Sequence, residues 1–329
     1  MKLSEYLDEA KLAEHVNRGL VTVRHHNTLP LSIYSYSRKA MYSNHWDDIT
    51  TKTRGLIVDK EGNIVARPYE KFFAVGQHPS TDPLTIRDMD ANFGPPVITE
   101  KINGCLGIFW KYGVHWGVAT KGSFHSPHAE WATKWLEDHI EHNGRLIFPE
   151  GYTPVFEIIC QDVQPHVIKY PKDRLVLLGF VNNQSGEELE YGWDDGVAAY
   201  AYRNHLFATP KVTIDVQDAM QSDSDKFEGY VATYNIPGQV PYKLKIKFPT
   251  FIKNRRKFYA DRLAGRELTE EELEELAQAK ITQSKAKTIV TEALVKFTTR
   301  KEFAEYFNLP ENKEYASECF RLLDYDGGK

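Results

Sequence analysis

The sequence has few of the features that mark secreted, disulfide-stabilised or membrane-spanning proteins. Three cysteines, Cys105, Cys160 and Cys319, are too few and too widely spaced for a disulfide framework or a zinc site. No segment approaches the roughly 20 consecutive apolar residues that a transmembrane helix requires. The N-terminus enters an amphipathic pattern without the basic and apolar regions of a secretory signal. We therefore expect a cytoplasmic protein without membrane contact, in which the cysteines are reduced packing residues.

A strong net charge of one sign is also missing. The net charge is −5. A composition of 41% hydrophobic and 26% charged residues is typical of a globular protein rather than a disordered chain. Charge is nevertheless uneven, because eight lysines and arginines lie between Lys243 and Arg262 against the single acid Asp261, with four aromatic residues interleaved. Such a segment could follow a phosphate backbone and stack bases, or it could be a solvated helix face.

Short segments rich in β-branched and aromatic residues, separated by Asn, Gly and Pro, predict antiparallel strands. The segments 55–59 and 63–67 flank Lys60-Glu61-Gly62, a typical hairpin connection. Runs of strands with inserted helices predict an α+β fold. Further strands are expected at 97–101, 106–111, 114–121, 153–159, 175–181, 229–234 and 243–248, and a helix at 197–205.

A longer helix is predicted from its end signals. Ser126 suits the N-cap, Pro127 suits the first helical position, and Asn143-Gly144 would end the helix. Its buried stripe is expected to contain Trp131, Trp135, Leu136 and Ile140.

The character of the chain changes after Pro249, where the strand pattern gives way to a strongly helical stretch that includes Leu268 to Leu273. We place a domain boundary near residue 254. Residues 1–254 would form the larger domain, with a β-rich N-terminal segment, and residues 255–329 a small helical accessory domain.

The segment Glu100-Lys101-Ile102-Asn103-Gly104 places a lysine where a strand ends and a glycine turn begins. A turn of this kind exposes the lysine and lets the backbone approach a ligand closely. The other interpretation is an ordinary lysine beside a hairpin, because Asn-Gly between two β segments is a strong hairpin signal.

Two carboxylates stand in or beside apolar strands. Glu157 interrupts the run from Val155 to Ile159, and Glu228 precedes Gly229 at the start of a strand. Carboxylates at such positions could meet a ribose hydroxyl or hold magnesium, or Glu157 could be an outward-facing strand residue.

Lys245 and Lys247 are two residues apart and would project from one face of a strand, with Leu244 and Ile246 directed into the core. Two cations on one face suit phosphate, and they would favour the neutral, nucleophilic form of a neighbouring lysine amine. They could also protect an edge strand from aggregation. Arg54, Lys71 and Lys121 are further cations beside aromatic residues, each equally consistent with a solvated surface position.

In chain order these motifs resemble those of the covalent nucleotidyltransferase superfamily, which contains the ATP-dependent ligases and the capping enzymes. The nearest resemblance is to RNA ligases of the phage tRNA-repair type, and it covers roughly residues 50 to 250. It implies an adenylyltransferase domain of antiparallel sheets with helices, followed by an all-helical C-terminal domain. The matching segments are Arg54-Gly55, Glu70 to Phe73, Lys101 to Gly104, Phe156-Glu157, Glu228-Gly229 and Lys245 to Lys247.

The resemblance implies a role for each matching residue. Lys101 would carry AMP, with Lys245 and Lys247 as further catalytic residues at phosphate, and Glu228 would bind the metal. Asn103 and Cys105 depart from the family pattern, where aspartate and serine are frequent. The nucleotide-binding residues would be Arg54 and Lys71 at the ATP phosphates, Phe73 near adenine, Glu100 and Gly104 at the nucleotide, Lys121 at phosphate, and Glu157 at the ribose.

The implied activity is ATP-dependent joining of RNA 5′-phosphate and 3′-hydroxyl ends through lysyl-AMP and 5′-adenylated intermediates, in RNA repair. ATP would donate AMP, Mg²⁺ would be required with Mn²⁺ able to replace it, and the enzyme would be a monomer. If the protein is encoded by a phage, it would act in the host cytoplasm. DNA ends stay open as substrates.

Two other functions remain open on the sequence alone. GTP-dependent RNA capping uses the same lysine chemistry, although the C-terminal segment is helical and lacks the β pattern of a capping enzyme's oligonucleotide-binding domain. A non-catalytic RNA-binding protein would use the basic and aromatic segment from Lys243 to Arg262.

Overall fold

The computed structural model describes residues 1–264, 285–286, 288–289, 292–293, 300–316 and 319. The chain divides into two compact units, one of residues 1–37 and 46–258 and the other of residues 38–45 and 259–329. Residues 38–45, which the sequence analysis assigned to the first domain, therefore group with the second unit. The helical stretch predicted from Leu268 to Leu273 lies outside the described residues.

Helices and strands alternate irregularly along the described residues. The helices are α1 (Leu3–Tyr6), α2 (Glu9–Asn17), α3 (Arg38–Tyr42), α4 (Asp48–Lys52), α5 (Pro83–Phe93), α6 (Pro127–Asn143), α7 (Val197–Arg203), α8 (Val216–Gln221), α9 (Pro249–Ala264) and α10 (Arg300–Phe307), with 3₁₀ turns at Pro79–Thr81 and Lys313–Tyr315. The strands are β1 (Val21–His25), β2 (Leu31–Tyr36), β3 (Arg54–Asp59), β4 (Ile64–Ala66), β5 (Phe73–Ala74), β6 (Val97–Glu100), β7 (Cys105–Tyr112), β8 (His115–Ala119), β9 (Tyr152–Ile159), β10 (Arg174–Asn182), β11 (Phe207–Ala208), β12 (Lys211–Val212), β13 (Gly229–Tyr234) and β14 (Tyr242–Lys247).

The strands of the first unit form three sheets. Their orders are β1-β2-β3-β4, β11-β10-β9-β7-β8 and β12-β6-β13-β14-β5. Neighbouring strands are antiparallel except for the short β11 and β5, which pair in parallel with β10 and β14. This arrangement confirms an α+β fold rich in antiparallel sheet.

The predicted hairpin and the long helix both form where the sequence places them. Strands β3 and β4 pair antiparallel, with Ile57 opposite Ala66. The Ser126 hydroxyl accepts a hydrogen bond from the Ala129 backbone N–H at the start of α6, and Gly144 ends the helix with φ 84°. Each terminus thus has the cap residue that its backbone geometry requires.

The buried stripe of α6 differs from the prediction. Ala129, Ala132 and Leu136 are its fully buried residues, whereas Trp131 and Trp135 are only partly covered. The alanines let the helix approach closely the second sheet, where Phe156 and Phe180 fill the core. The indole rings then cover the margin of this contact instead of its centre.

The link between β6 and β7 is a crossing between sheets, because β6 pairs with β12 and β13 and β7 pairs with β8 and β9. The Asn103-Gly104 turn is therefore not a hairpin turn, contrary to the interpretation that the dipeptide alone favours. Lys101 follows β6 directly and lies where the chain leaves the third sheet for the second.

Strand β14 shows the predicted alternation. Leu244 and Ile246 are buried in the core of the third sheet with Ile98 and Ala232, while Lys245 and Lys247 lie on the opposite face. Each buried aliphatic side chain stabilises the strand by about 1.5–3 kcal/mol, so a one-residue slip of register is strongly disfavoured.

The second unit has an apolar cluster of its own, in which Phe303 and Phe307 are one helical turn apart on α10 and lie beside Tyr315 and Cys319. An all-helical C-terminal domain and a boundary at residue 254 stay predictions. Within the described part of the chain, Cys105, Cys160 and Cys319 form no disulfide with one another. Among the described residues, no helix is long and apolar enough to cross a membrane.

Candidate active site

A cavity of about 440 Å³ opens within the first unit, and strands of all three sheets line it. We call it the lysine cavity. Glu228 lies directly behind its wall, in contact with two of the lysines that line it. The cavity brings together seven of the predicted site residues, which are Arg54, Glu100, Lys101, Gly104, Glu157, Lys245 and Lys247.

Lys101 is held by a carboxylate that it shares with Lys247. Its Nζ lies 2.9 Å from Glu228 Oε1, and Lys247 Nζ lies 3.3 Å from the same oxygen. The Lys101 backbone N–H also donates to the Gly229 carbonyl at 2.8 Å. Both the backbone and the side chain of Lys101 are thus fixed by the start of β13.

Asn103 fixes the turn after Lys101. Its Nδ2 donates to Glu228 Oε2 at 3.0 Å, its Oδ1 accepts from the Ile168 backbone N–H at 3.2 Å, and its own N–H donates to the Tyr170 hydroxyl at 2.7 Å. These bonds connect the turn to two separate segments. An amide makes this set of bonds because it both donates and accepts, which an ionised aspartate does not do.

Gly104 is required by a close approach to β9. Its N–H donates to Glu157 Oε1 at 2.9 Å. A Cβ at this position would lie 2.4 Å from the Ile158 carbonyl oxygen, which is backbone and has no room to move. The glycine therefore brings the turn after Lys101 within hydrogen-bond reach of the Glu157 carboxylate.

Burial, the largest effect, and the nearby Glu228 carboxylate together raise the pKa of Glu157 to about 7, against the opposing effects of Lys101, Arg54 and the Gly104 N–H. The structure thus surrounds one carboxyl group with both kinds of charge. A group with this pKa changes its charge near neutral pH.

Glu228 is only 4% exposed, yet it is ionised. Burial pulls its pKa upward, but Lys101 and Lys247 outweigh burial and leave the pKa below its usual value. An ionised carboxylate oxygen is the ligand type that magnesium takes, usually as one or two carboxylates beside substrate phosphates. Glu228 therefore fits a metal ligand by charge and by donor type.

Lys245 is the most strongly perturbed lysine of the cavity. Burial is the main cause and the neighbouring Arg54, Lys71 and Lys101 add to it, so its pKa lies well below the usual value. Its Nζ donates to the Phe72 carbonyl at 3.0 Å. A phosphate bound beside Lys245 would raise this pKa again, because its negative charge favours the protonated amine and offsets the repulsion from the neighbouring cations.

Besides Glu228, three predicted residues do not line the lysine cavity. Phe73 is buried and stacks on His78 at 4.2 Å, away from the cavity. Lys71 faces the Phe73 ring at 4.0 Å, and Lys121 faces the Tyr36 ring at 3.7 Å. Burial followed by repulsion from Arg54 lowers the pKa of Lys71 to about 8, so its charge still couples to the cavity.

Comparison with known proteins decides the family. Residues 52–251 match a family described as RNA ligase. This chain belongs to that RNA ligase family. The matched range contains every residue that lines the lysine cavity except Tyr36 and Arg255.

Relatives of this RNA ligase family member include a protein of Thermovibrio ammonificans whose name assigns it to the RNA ligases, 25% identical over 210 residues. The match covers 61% of this chain and 49% of that relative, so the chain spans about half the length of the curated relative. Among solved structures, Naegleria gruberi RNA ligase with PPi is 12% identical with a TM-score of 0.43, covering 76% of this chain and 83% of that one. A structure of a mutant of the same ligase with ATP and Mn is 13% identical with a TM-score of 0.42, and the match covers 52% of this chain and 54% of that one. An Aquifex aeolicus protein named as an ATP-dependent DNA ligase is 13% identical with a TM-score of 0.46, covering 92% and 88%.

The cavity of this RNA ligase family member also contains residues that sequence reasoning missed. Strand periodicity indicates which of them share a face, but not which strands from separate sheets meet. Lys243 and Arg255 carried a signal, because both belong to the basic segment from Lys243 to Arg262, and Phe72 and Ile102 lie within the quoted motifs. The missed residues are Tyr36, Tyr69, Phe72, Thr99, Ile102, Leu106, Leu178, Thr209, Val231, Lys243 and Arg255.

Proposed function

We propose that the protein is an ATP-dependent RNA ligase that joins 5′-phosphate and 3′-hydroxyl ends. The observation that carries the proposal is the lysine cavity, in which Lys101 lies with Arg54, Lys245 and Lys247 beside two glutamates. Membership of the RNA ligase family supports the same chemistry. Lys101, Lys245 and Lys247 are the proposed catalytic residues.

In the first step the Lys101 amine attacks the α-phosphorus of ATP. A P–N bond forms, the bond from the α-phosphorus to the bridging oxygen breaks, and pyrophosphate leaves with that oxygen. The amine must lose a proton to attack, so the Lys101 ion pair with Glu228 has to open first. Lys245 and Lys247 provide positive charge where negative charge develops on the phosphate.

In the second step a 5′-phosphate oxygen of RNA attacks the AMP phosphorus, which forms a P–O–P linkage and releases Lys101. In the third step the 3′-hydroxyl oxygen attacks the RNA 5′-phosphorus. A phosphodiester bond forms, AMP leaves, and the hydroxyl proton is released. The protein's contribution to each step is positioning and positive charge arranged in advance.

Glu228 would hold magnesium, with manganese as a substitute, and the metal would neutralise charge on the ATP phosphates. Glu157 is proposed at the ribose, since its carboxyl lies beside the Gly104 turn and accepts hydrogen bonds. Arg54, Lys71 and Lys121 are proposed at phosphate.

The apolar part of the cavity wall suits the adenine base. Leu178 of β10 and Val231 of β13 line the cavity together with Thr99, Glu100 and Thr209, which supply hydrogen-bonding groups for a base edge. Burial raises the pKa of Glu100 above its usual value. Phe73 does not line the cavity, so we assign the base contact to Leu178 and Val231 in its place.

The test is a joining assay with a 5′-phosphorylated RNA, an RNA with a 3′-hydroxyl, magnesium and either ATP or GTP. We expect joining with ATP only, and none with Lys101→Ala from unadenylated ends. Lys101→Ala that still joins such ends with ATP would overturn the proposal. A GMP adduct without joining would favour capping, and salt-sensitive RNA binding without any adduct would favour a binding protein.

The biological setting follows from the same proposal. A ligase for such ends acts in RNA repair, in the cytoplasm, with residues 255–329 as a helical accessory domain and the enzyme as a monomer. Replacing the RNA ends by DNA ends in the same assay tests whether the enzyme prefers ribose or deoxyribose. Sedimentation of the full chain tests the oligomeric state.

A further inference from the structure

A second cavity, of about 280 Å³, lies beside the lysine cavity within the first unit. The two cavities share Glu100 and Ile102, the residues on either side of Lys101. We call the second cavity the flanking pocket. Its wall also contains Lys169, Tyr170, Arg174, Phe207, Lys226 and Phe227.

The flanking pocket has an excess of positive charge, with three cations against the one carboxylate of Glu100 in its lining. Lys169, Arg174 and Lys226 line it, and among the described residues their side chains form no ion pair with a carboxylate. The Arg174 guanidinium lies 4.3 Å from the centre of the Phe207 ring, and its Nε has no hydrogen-bond partner in the described part of the chain. A stacked guanidinium with unused donors is pre-organised for a phosphate group, because its planar fork needs little further ordering.

The flanking pocket also exposes aromatic rings. Phe207 is 56% exposed and Phe227 is 37% exposed, although burying such a ring would stabilise the fold by about 1.5–3 kcal/mol. Tyr170 lies on the same wall, and its hydroxyl is already bonded to the Asn103 backbone. Exposed rings beside unpaired cations are the combination that binds single-stranded nucleic acid, with bases on the rings and phosphates on the cations.

We propose that the flanking pocket binds one nucleotide of the RNA strand next to the end being joined. Its base stacks on Phe207 and Phe227, and its phosphate is bound by Arg174 with Lys169 and Lys226. This assignment rests on the proposed ligase function, and it makes these residues determinants of RNA binding rather than of ATP chemistry. The nucleotide belongs to the strand with the 5′-phosphate or to the strand with the 3′-hydroxyl, and the two have the same chemistry at the pocket.

The test separates RNA steps from the ATP step in the full chain. Phe207→Ala, Arg174→Gln and Lys226→Gln are compared with two controls, Tyr202→Ala, an exposed ring on α7, and Arg24→Gln, an exposed arginine on β1. Lysyl-AMP formation is measured first. Transfer of AMP to a 5′-phosphorylated, 3′-blocked RNA then isolates the second step, and joining of a pre-adenylated RNA to an acceptor isolates the third. Anisotropy of a labelled single-stranded RNA reports binding directly.

We expect lysyl-AMP formation to be unchanged in all five variants. Phe207→Ala should lower kcat/KM for RNA about 10- to 100-fold. Arg174→Gln and Lys226→Gln should each weaken RNA binding and reduce its salt slope by about 0.7. Loss in both the second and the third step places the 5′-phosphate strand in the pocket, because the pre-adenylated RNA is that same strand. Loss in the third step only places the 3′-hydroxyl strand there.

Normal adenylation together with unchanged RNA binding and unchanged second and third steps would overturn the flanking pocket assignment. Absence of a Lys101-dependent adduct in the wild-type chain would instead overturn the proposed function, and the anisotropy measurement would still decide the pocket. Lys226→Gln removes an exposed side chain without loss of packing, so it keeps the test valid if Phe207→Ala fails to fold.

Discussion

Lys101 Nζ lies 2.9 Å from Glu228 Oε1, and this carboxylate is also the partner of Lys247. The ion pair with Glu228 holds Lys101, the proposed nucleophile, at the junction of two sheets. It also places a negative charge beside the Lys101 amine. ATP phosphates would offer Lys101 and Lys247 a different negative partner. Glu228 would then be released to hold the metal, so one carboxylate would serve the free and the nucleotide-bound site in turn.

Glu228→Gln should therefore separate ATP binding from ATP chemistry. Without the carboxylate, ATP binding in the presence of EDTA should tighten, because Lys101 and Lys247 no longer have an internal anion. Magnesium-dependent adenylation should fall by at least about 10-fold. Titration calorimetry and α-labelled ATP measure the two effects.

Glu188→Gln is the matched control, because Glu188 also forms an ion pair with a lysine of the cavity, Lys243. It should tighten ATP binding but leave adenylation intact. If Glu228→Gln adenylated as fast as Glu188→Gln, Glu228 would not be the metal ligand.

Gly104→Ala should disrupt the site by sterics alone. Its Cβ would lie 2.4 Å from the Ile158 carbonyl oxygen and 2.9 Å from Glu157 Cγ. We expect a loss of about 1–3 kcal/mol in the free energy of unfolding and strongly reduced adenylation. Gly192→Ala, where a Cβ meets nothing within 4 Å, is the control for chemical denaturation and for adduct formation. Equal behaviour of the two variants would contradict the close approach.

Glu157 should make stability depend on pH. Its pKa is about 7 in the folded protein against an ordinary value of 4.5, chiefly because of burial. The folded state holds this proton more tightly, so the stabilisation is complete below pH 4.5 and is lost as pH rises through 7.

Glu157→Gln mimics the protonated carboxyl and should remove this loss. Relative to the wild-type chain, the variant should gain about 1–3 kcal/mol of unfolding free energy between pH 5 and pH 8. Urea unfolding at several pH values measures the difference, with Glu137→Gln on α6 as control. A constant difference across that range would show that Glu157 titrates normally.

ATP binding at pH 8 should be accompanied by proton uptake. Burial and repulsion from Arg54, Lys247 and Lys121 lower the pKa of Lys71 to about 8, so about half of its population is uncharged at that pH. A bound phosphate would raise the pKa again and draw in up to about half a proton at Lys71.

Calorimetry of ATP binding in buffers with different ionisation enthalpies counts these protons. Lys71→Met should take up fewer protons than the wild-type chain, whereas Lys111→Met, an exposed lysine on β7, should match it. Equal uptake in both variants would mean that Lys71 is not coupled to the bound phosphates.

Local signals predicted much of the fold. The cap residues Ser126 and Gly144 predicted the two ends of α6, and the alternation of lysine and apolar residues in β14 predicted that Lys245 and Lys247 face away from the core. Both features depend only on residues that are close in sequence. The Asn103-Gly104 turn was harder to interpret. Whether β6 and β7 pair with each other depends on partner strands β13 and β9, which lie 47 or more residues further along the chain, and a dipeptide carries no information about them.

The candidate site was predictable where motifs are compact. Lys101, Glu157 and Glu228 lie close together, as their motifs imply. The contact of Phe73 with adenine stays a prediction. Phe73 does not line the cavity, whereas the adjacent ring of Phe72 does, and consecutive side chains of an extended chain lie on opposite faces. The wall residues Leu178 and Val231 carry no motif and meet only through the packing of two sheets.

The most direct test of the account is to locate AMP on the protein. The chain is stripped of bound AMP with pyrophosphate, incubated with magnesium and ATP labelled at the α-phosphate, denatured, digested, and its labelled peptide sequenced by mass spectrometry. We expect a single AMP on Lys101, attached through a P–N bond. This adduct should be absent from Lys101→Ala and form normally in Lys111→Met. AMP on another residue, or no adduct in the wild-type chain, would contradict it.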